Sequence, residues 1–206
     1  NRFSFQDEIV INEIMYHHAV LPSTNGLAPQ NSPEQWIELF NRGTNLVDLT
    51  GWRISGGIDF YFSQGQTISG GDYLVVARDA ATFRALYPTI DFAGEFTVRL
   101  SGRSDSIVLR DAAGNPADEV RYSDEGHWAA YADGGGSSLE LMDANAGNSQ
   151  AAAWASSDES SKSSWQSYSY RAIAGFPTGT QLTTWNDFIL GLLGAGECLI
   201  DDLTVI

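Results

Sequence analysis

Apolar residues in this chain recur mostly with a period of two, in short runs broken by turn residues, and that rhythm restricts the chain to β architecture. Phe96, Val98 and Leu100 fall on one face, with Glu95, Thr97 and Arg99 on the other. Ile107 and Leu109 repeat the pattern, then Val120 and Tyr122, then Leu139 and Leu141. Successive strand residues point to opposite faces, so such alternation describes strands with one buried side. Gly56-Gly57, Gly70-Gly71, Gly102, Gly114-Asn115-Pro116 and Gly134-Gly135-Gly136 separate the runs. Short alternating strands spaced by about 8–12 residues are the pattern of a β-sandwich or barrel.

One helix interrupts the strands. Asp79 caps a turn that runs from Ala80 to Tyr87, where Pro88 stops it. Phe83, Leu86 and Tyr87 lie at helical spacing and are expected to pack on the sandwich. Residues 21–35, rich in Pro, Asn, Ser and Gly, read as a surface loop suited to recognition. After Trp154 the composition shifts. Residues 156–164 read as a Ser-rich linker, and residues 165–206 return to strand patterns, with a hairpin signal at Gly194-Ala195-Gly196.

A chain of 206 residues makes one large domain, or one domain and part of another. Eleven basic against 26 acidic residues give a net charge of −15. Such a surface repels nucleic-acid phosphate and anionic membranes, and suits solubility or divalent cations. The one cysteine, Cys198, excludes an internal disulfide and sits in an apolar run as a core thiol. No run of about twenty apolar residues encodes a membrane span. The chain opens on Asn1, as a processed form or an excised piece would.

Histidine is limited to His17, His18 and His127. Glu13 and His17 would share a strand face about 13 Å apart. His17 and His18 would point to opposite faces, which disfavours a metal pair. His17 is the best candidate for a functional histidine, because a loop follows it. No Gly-x-Ser-x-Gly is present, and Ser137 after three glycines reads as a turn entering a strand. Glu13 and Glu38 lie in apolar strands and need partners there. Arg42, Arg53, Arg78, Arg99 and Arg110 are available, so structural salt bridges are expected rather than an acid–base pair. Asp143, Asn145 and Asn148 place oxygen side chains through one loop, a pattern that suits calcium as a structural ion. Trp36, Trp52 and Trp154 read as core. Trp128, Tyr131, Trp165, Tyr168, Tyr170 and Trp185 are the rings available to a sugar platform.

Several segments, taken in order, resemble the lamin-tail domain in its bacterial form. They are Asn12-Glu13-Ile14-Met15-Tyr16-His17, Trp36-Ile37-Glu38-Leu39 with Asn41, and Asp48-Leu49-Thr50-Gly51-Trp52. Arg78-Asp79, Asp111-Ala112-Ala113-Gly114-Asn115, the glycines before Ser137-Ser138-Leu139-Glu140, and Trp154-Ala155 complete the set. The resemblance spans residues 8–155 and implies an all-β fold, an immunoglobulin-like β-sandwich with one short helix. The second histidine departs from the pattern, since Pro often follows Met-Tyr-His in that family. Gly196 to Val205 is similar to the closing strand of galactose-binding-type jelly rolls, so residues 165–206 are expected to be additional C-terminal β-strands of a partial module. Such modules often hold structural calcium through a closing-strand Asp, which makes Asp201 and Asp202 the second candidate site.

The function expected from these readings is non-catalytic: an interaction or spacer module of a larger extracellular or cell-surface bacterial protein. Its partner would be a protein or a glycan at the surface, with no nucleic acid and no membrane insertion. A carbohydrate-binding accessory module is the alternative, and an enzyme with an unrecognised site is the third.

Overall fold

The computed structural model describes residues 8–18, 20–21 and 30–159, together with positions 167, 169, 200 and 202–204. In chain order the strands are β1 (Ile9–Met15), β2 (Val20–Leu21), β3 (Gln30–Asn31), β4 (Trp36–Asn41) and β5 (Val47–Asp48). They continue with β6 (Arg53–Gly56), β7 (Phe60–Tyr61), β8 (Thr67–Ile68) and β9 (Tyr73–Ala77). Helix α1 (Ala80–Leu86) follows, then β10 (Phe92–Glu95), β11 (Ser104–Arg110), β12 (Pro116–Ser123), β13 (Leu139–Leu141) and β14 (Trp154–Ser156). Two sheets dominate: a six-stranded one ordered β10-β9-β4-β1-β13-β14 and a four-stranded one ordered β12-β11-β6-β7. The all-β sandwich with a single short helix is therefore the architecture of the described residues.

The sheets close on one core. Ile9, Ile11, Ile14, Tyr16, Ile37 and Leu39 enter it from the six-stranded side, and Ile54, Ile107, Leu109, Val120 and Tyr122 from the other. Tyr16 and Tyr122 meet between the sheets with ring centroids 4.5 Å apart. The Tyr122 hydroxyl stays satisfied by donating to the Ser101 carbonyl at 2.7 Å, as a buried phenol requires. Trp36, Trp52 and Trp154 are buried as expected.

Strand β1 does not alternate cleanly. Its pairing with β4 shifts between Ile11 and Glu13, so Asn12 is an extra residue, a β-bulge. The bulge keeps Ile9, Ile11, Ile14 and Tyr16 all facing inward although their spacing is two, three, two. It also sends Glu13 to the outer face, directly opposite Glu38 on β4 and Glu140 on β13.

Helix α1 forms where its cap demands it. The Asp79 carboxylate accepts the Thr82 N–H at 2.6 Å, and hydrogen bonds from this turn hold its pKa below the usual range. Phe83 is buried against Trp36 and stacks on Phe92 at 5.5 Å. Leu86, expected to pack, is instead 52% exposed. So short a helix meets the sheet along one line, through Phe83 and Tyr87, and Leu86 lies about 100° round from Tyr87.

The alternating run from Phe96 to Leu100 is not a strand. Strand β10 ends at Glu95, and although Phe96 and Leu100 are buried, Val98 is 52% exposed. The physical reason is Gln35, whose side chain replaces a neighbouring strand. Its amide accepts the Leu100 N–H at 3.1 Å and donates to the Leu100 carbonyl at 3.0 Å and the Tyr16 carbonyl at 2.6 Å. Pinned at one residue rather than along a ladder, the chain bends at Val98 and turns that side chain to solvent.

Candidate functional site

His17 lies two residues past β1, in an isolated bridge with Asp133, and the glycine-rich turn after Ala132 wraps it. His17 Nδ1 lies 2.6 Å from Asp133 Oδ1. The Gly134 N–H donates to the His17 carbonyl and the Gly136 N–H to the His18 carbonyl, both at 2.8 Å. Gly134 (φ 78°) holds a conformation that side chains resist, and a Cβ there would stand 3.4 Å from the imidazole. The bond to Asp133 occupies Nδ1 and leaves Nε2 as the outward nitrogen. Nε2 is bonded to no hydroxyl or thiol among the described residues. The ring is 21% exposed, and it does not line the depression of about 300 Å³ bounded by Pro33, Arg78, Asp79, Glu95, Phe96 and Thr97. What the Asp133 bond and the Gly134 turn supply to the imidazole is orientation.

His18 faces a different carboxylate. Its Nε2 is 3.5 Å from Glu34 Oε2. Glu34 is buried at 7% exposure and accepts the Tyr87 hydroxyl at 2.7 Å. Burial, then the bond to Glu34, pushes the Tyr87 phenol well above its ordinary value. This network ties the exit of β1 to the entry of β4 and to α1.

Three of the five arginines expected to neutralise Glu13 and Glu38 are placed with other groups. Glu38 accepts the Asn12 amide at 3.0 Å, and Glu13 accepts the Ser138 hydroxyl. Arg53 pairs with Asp59 at 2.8 Å, Arg42 donates to the Ala144 carbonyl at 3.0 Å, and Arg110 donates to the Gly114 carbonyl at 3.1 Å. The bulge turns Glu13 outward, beside Ser138, and ordinary alternation along β4 turns Glu38 the same way, beside Asn12. Partial burial raises the Glu38 pKa, the Asn12 bond lowers it less, and the Glu140 charge raises it further.

The loop from Asp143 to Asn148 serves as an anchor. Asp143 Oδ1 accepts the Asn145 N–H at 2.9 Å, an ordinary Asx turn. Asn148 Nδ2 donates to both oxygens of Asp118, at 2.9 and 2.7 Å, and its carbonyl accepts the Trp154 indole at 2.8 Å. Asp118 in turn accepts the Ile11 N–H at 2.7 Å. Desolvation raises the Asp118 pKa, and these hydrogen bonds with the Arg42 charge oppose it. A hard cation needs several oxygens converging on one point. Here Asn148 presents its N–H groups to Asp118, and the Ala144 carbonyl accepts the Arg42 guanidinium. Among the described residues no three His, Cys, Asp or Glu side chains gather as a metal site.

The second proposed metal pair falls on the limit of what is described. Asp201 lies outside the described residues, and Asp202 has a positive φ of 52°. Trp165, Tyr168, Tyr170, Trp185 and Cys198 also lie outside them. Of the remaining candidate platform rings, Trp128 is half-buried and packs 6.4 Å from Trp154, while Tyr131 is exposed. Sequence reasoning missed Asp118, Asn148 as its partner, Gln35 and Asp133. Each is a polar residue whose partner lies far along the chain, with no local signal.

A family model described as the lamin tail domain matches residues 4–124, more than half of the chain. No curated protein matches. The match does not extend to residues 165–206, where the resemblance to a jelly roll was drawn. Among the described residues no helix is long and apolar enough to cross a membrane. The immunoglobulin-like sandwich and the matched segment agree, and the chain belongs to the lamin tail domain family.

Proposed function

We propose that the chain is a non-catalytic interaction or spacer module of a larger extracellular or cell-surface bacterial protein. Immunoglobulin-like domains of this family are commonly interaction modules, which is the coarse ground for the reading. The observation that carries it further is how the histidine–carboxylate pair is used. The His17–Asp133 bond and the backbone bonds around it hold the end of β1 to the Gly134 turn. An enzyme would need that dyad to open onto a cleft. The exposed rings of Tyr61, Tyr73 and Tyr131 belong to different elements.

The test is turnover. The unmodified protein and His17→Ala are assayed against chromogenic esters, phosphoesters and glycosides. No turnover above background by either is the expected result. Turnover that His17→Ala abolishes while keeping its melting temperature would overturn the reading.

A further inference from the structure

Asp133 and Gly134 form the single Asp–Gly pair of the sequence. In such a pair the glycine nitrogen can attack the aspartate side-chain carboxyl, because no Cβ shields that nitrogen. Here His17 holds both of the groups that would react. Its Nδ1 lies 2.6 Å from Asp133 Oδ1, and its carbonyl accepts the Gly134 N–H at 2.8 Å. The backbone of Asp133 adds a second restraint, with ψ at 77°. At that angle, in an L-residue, the Gly134 nitrogen lies on the far side of the Cα–C bond from the side chain. The turn calls for both residues. Gly134 has φ 78°, and a Cβ there would stand 3.4 Å from the imidazole, while Asp133 supplies the carboxylate that meets His17. The residues that tie the turn to His17 are therefore also the chemically labile pair. The Asp133 side chain is 35% exposed, so water reaches it.

We propose that Asp133–Gly134 is a site of spontaneous aspartate isomerisation, which His17 holds off in the native fold. The Gly134 nitrogen bonds to Asp133 Cγ and loses its proton, and one carboxyl oxygen leaves as water, giving a cyclic succinimide. Water then adds to the ring carbonyl that was the Asp133 main-chain carbonyl, and the bond from that carbon to the Gly134 nitrogen breaks. The chain now runs through the side-chain carboxyl as an isoaspartyl link, and the former main-chain carbonyl is a free carboxylate. No atoms are gained or lost overall, and water is the only co-reactant. Ring closure first requires rotation about the Asp133 Cα–C bond and release of the Gly134 N–H from His17. It is therefore confined to molecules in which this turn has opened locally. The product carries an extra main-chain atom between the Asp133 Cα and the Gly134 nitrogen. The Gly134 and Gly136 N–H groups then fall out of register with the His17 and His18 carbonyls that accept them in the native turn. Isomerisation thus unties the chain past β1 from the turn that leads into β13. This chemistry is independent of what the module binds.

The test follows isoaspartate at this position during incubation at physiological temperature and neutral pH. Peptide mapping with electron-transfer fragmentation tells the two linkages apart. The samples are the folded full chain, the full chain in urea, His17→Ala and Asp79→Ala. The last removes a hydrogen bond of the α1 cap, away from the turn. The expected result is slow conversion in the folded chain and the fastest conversion in urea. His17→Ala should convert about tenfold faster than the folded full chain and Asp79→Ala less than about twofold faster, tenfold being the change in local opening on losing a hydrogen bond to a charged group. Asp133→Glu, whose longer side chain disfavours ring closure, should give no isomer at this position in urea. No conversion in urea would remove the site, and equal rates in urea and in the folded chain would remove the protection. Neither comparison depends on a variant that folds. Equal acceleration in His17→Ala and Asp79→Ala, with thermal melts showing both folded, would take His17 out of the protection and overturn the proposal.

Discussion

The two sides of the six-stranded sheet obey different rules although the same strands build them. On the inner side Ile14, Ile37 and Leu39 are completely buried, and the one polar residue of β4 that follows them inward, Asn41, has its amide hydrogen-bonded to the Asn45 and Ile68 carbonyls. On the outer side the neighbours of those residues in sequence are Glu13 and Glu38, which oppose each other across the ladder. The inner side is dictated by closure of the sandwich. On the half of the outer face away from α1, Glu38 is held by the Asn12 amide and Glu13 by the Ser138 hydroxyl. The difference separates positions set by closure of the core from positions held by polar partners on the strands' other side.

The largest effect that sharpens this contrast belongs to the inner side. Ile37→Ala removes a fully buried side chain, and a cavity in a closed core costs about 3–4 kcal/mol. Chemical denaturation measures it. A loss below about 1 kcal/mol would mean that the two sheets do not close tightly at this point, and the contrast between the faces would dissolve.

Next comes the polar tie at the sheet edge. Asp118→Ala removes the acceptor for the Ile11 N–H and for the Asn148 amide. Buried donors left without partners cost about 1–3 kcal/mol, so a loss of about 2–3 kcal/mol is expected. Calcium added to the unmodified protein should leave its melting temperature unchanged. A rise with calcium that Asp143→Ala removes would contradict the use of this loop as an anchor.

What the sequence made legible follows from range. Alternation at Leu139 and Leu141, the Asp79 cap and the three core tryptophans are local signals, and the structure carries them through. The spacing Ile9, Ile11, Ile14, Tyr16 also encoded the bulge, because three residues between inward positions leave one extra in the ladder. The Phe96–Leu100 run misled because alternation reports burial, while a strand needs a paired backbone, and Gln35 stands 65 residues from Leu100. At the loop from Asp143 to Asn148 the oxygen-rich composition was visible, but the carboxylate that Asn148 meets is 30 residues away. Long-range polar pairing has no period, so it leaves no trace in a single chain.

The smallest effect is the most telling about the outer face, because its sign is opposite. Glu38→Gln keeps the shape and the Asn12 partner while removing a charge that faces Glu13 and Glu140. Relief of a directly opposed like-charge pair is worth about 0.5 kcal/mol, so the variant should be more stable at pH 7. The pH dependence follows from linkage. The folded-state pKa of Glu38 is raised, first by burial, so the native state binds its proton more tightly than the unfolded chain does. The stability this group contributes is therefore full below the unfolded glutamate value of about 4.3 and is lost as pH rises through the higher folded value. Denaturation of both proteins from pH 7 down to pH 4 should show the advantage of Glu38→Gln shrinking as the wild-type carboxylate takes up its proton. An advantage that stays constant across that range would assign the gain to packing, and a loss of stability at pH 7 would mean that the carboxylate row is already neutralised within the chain.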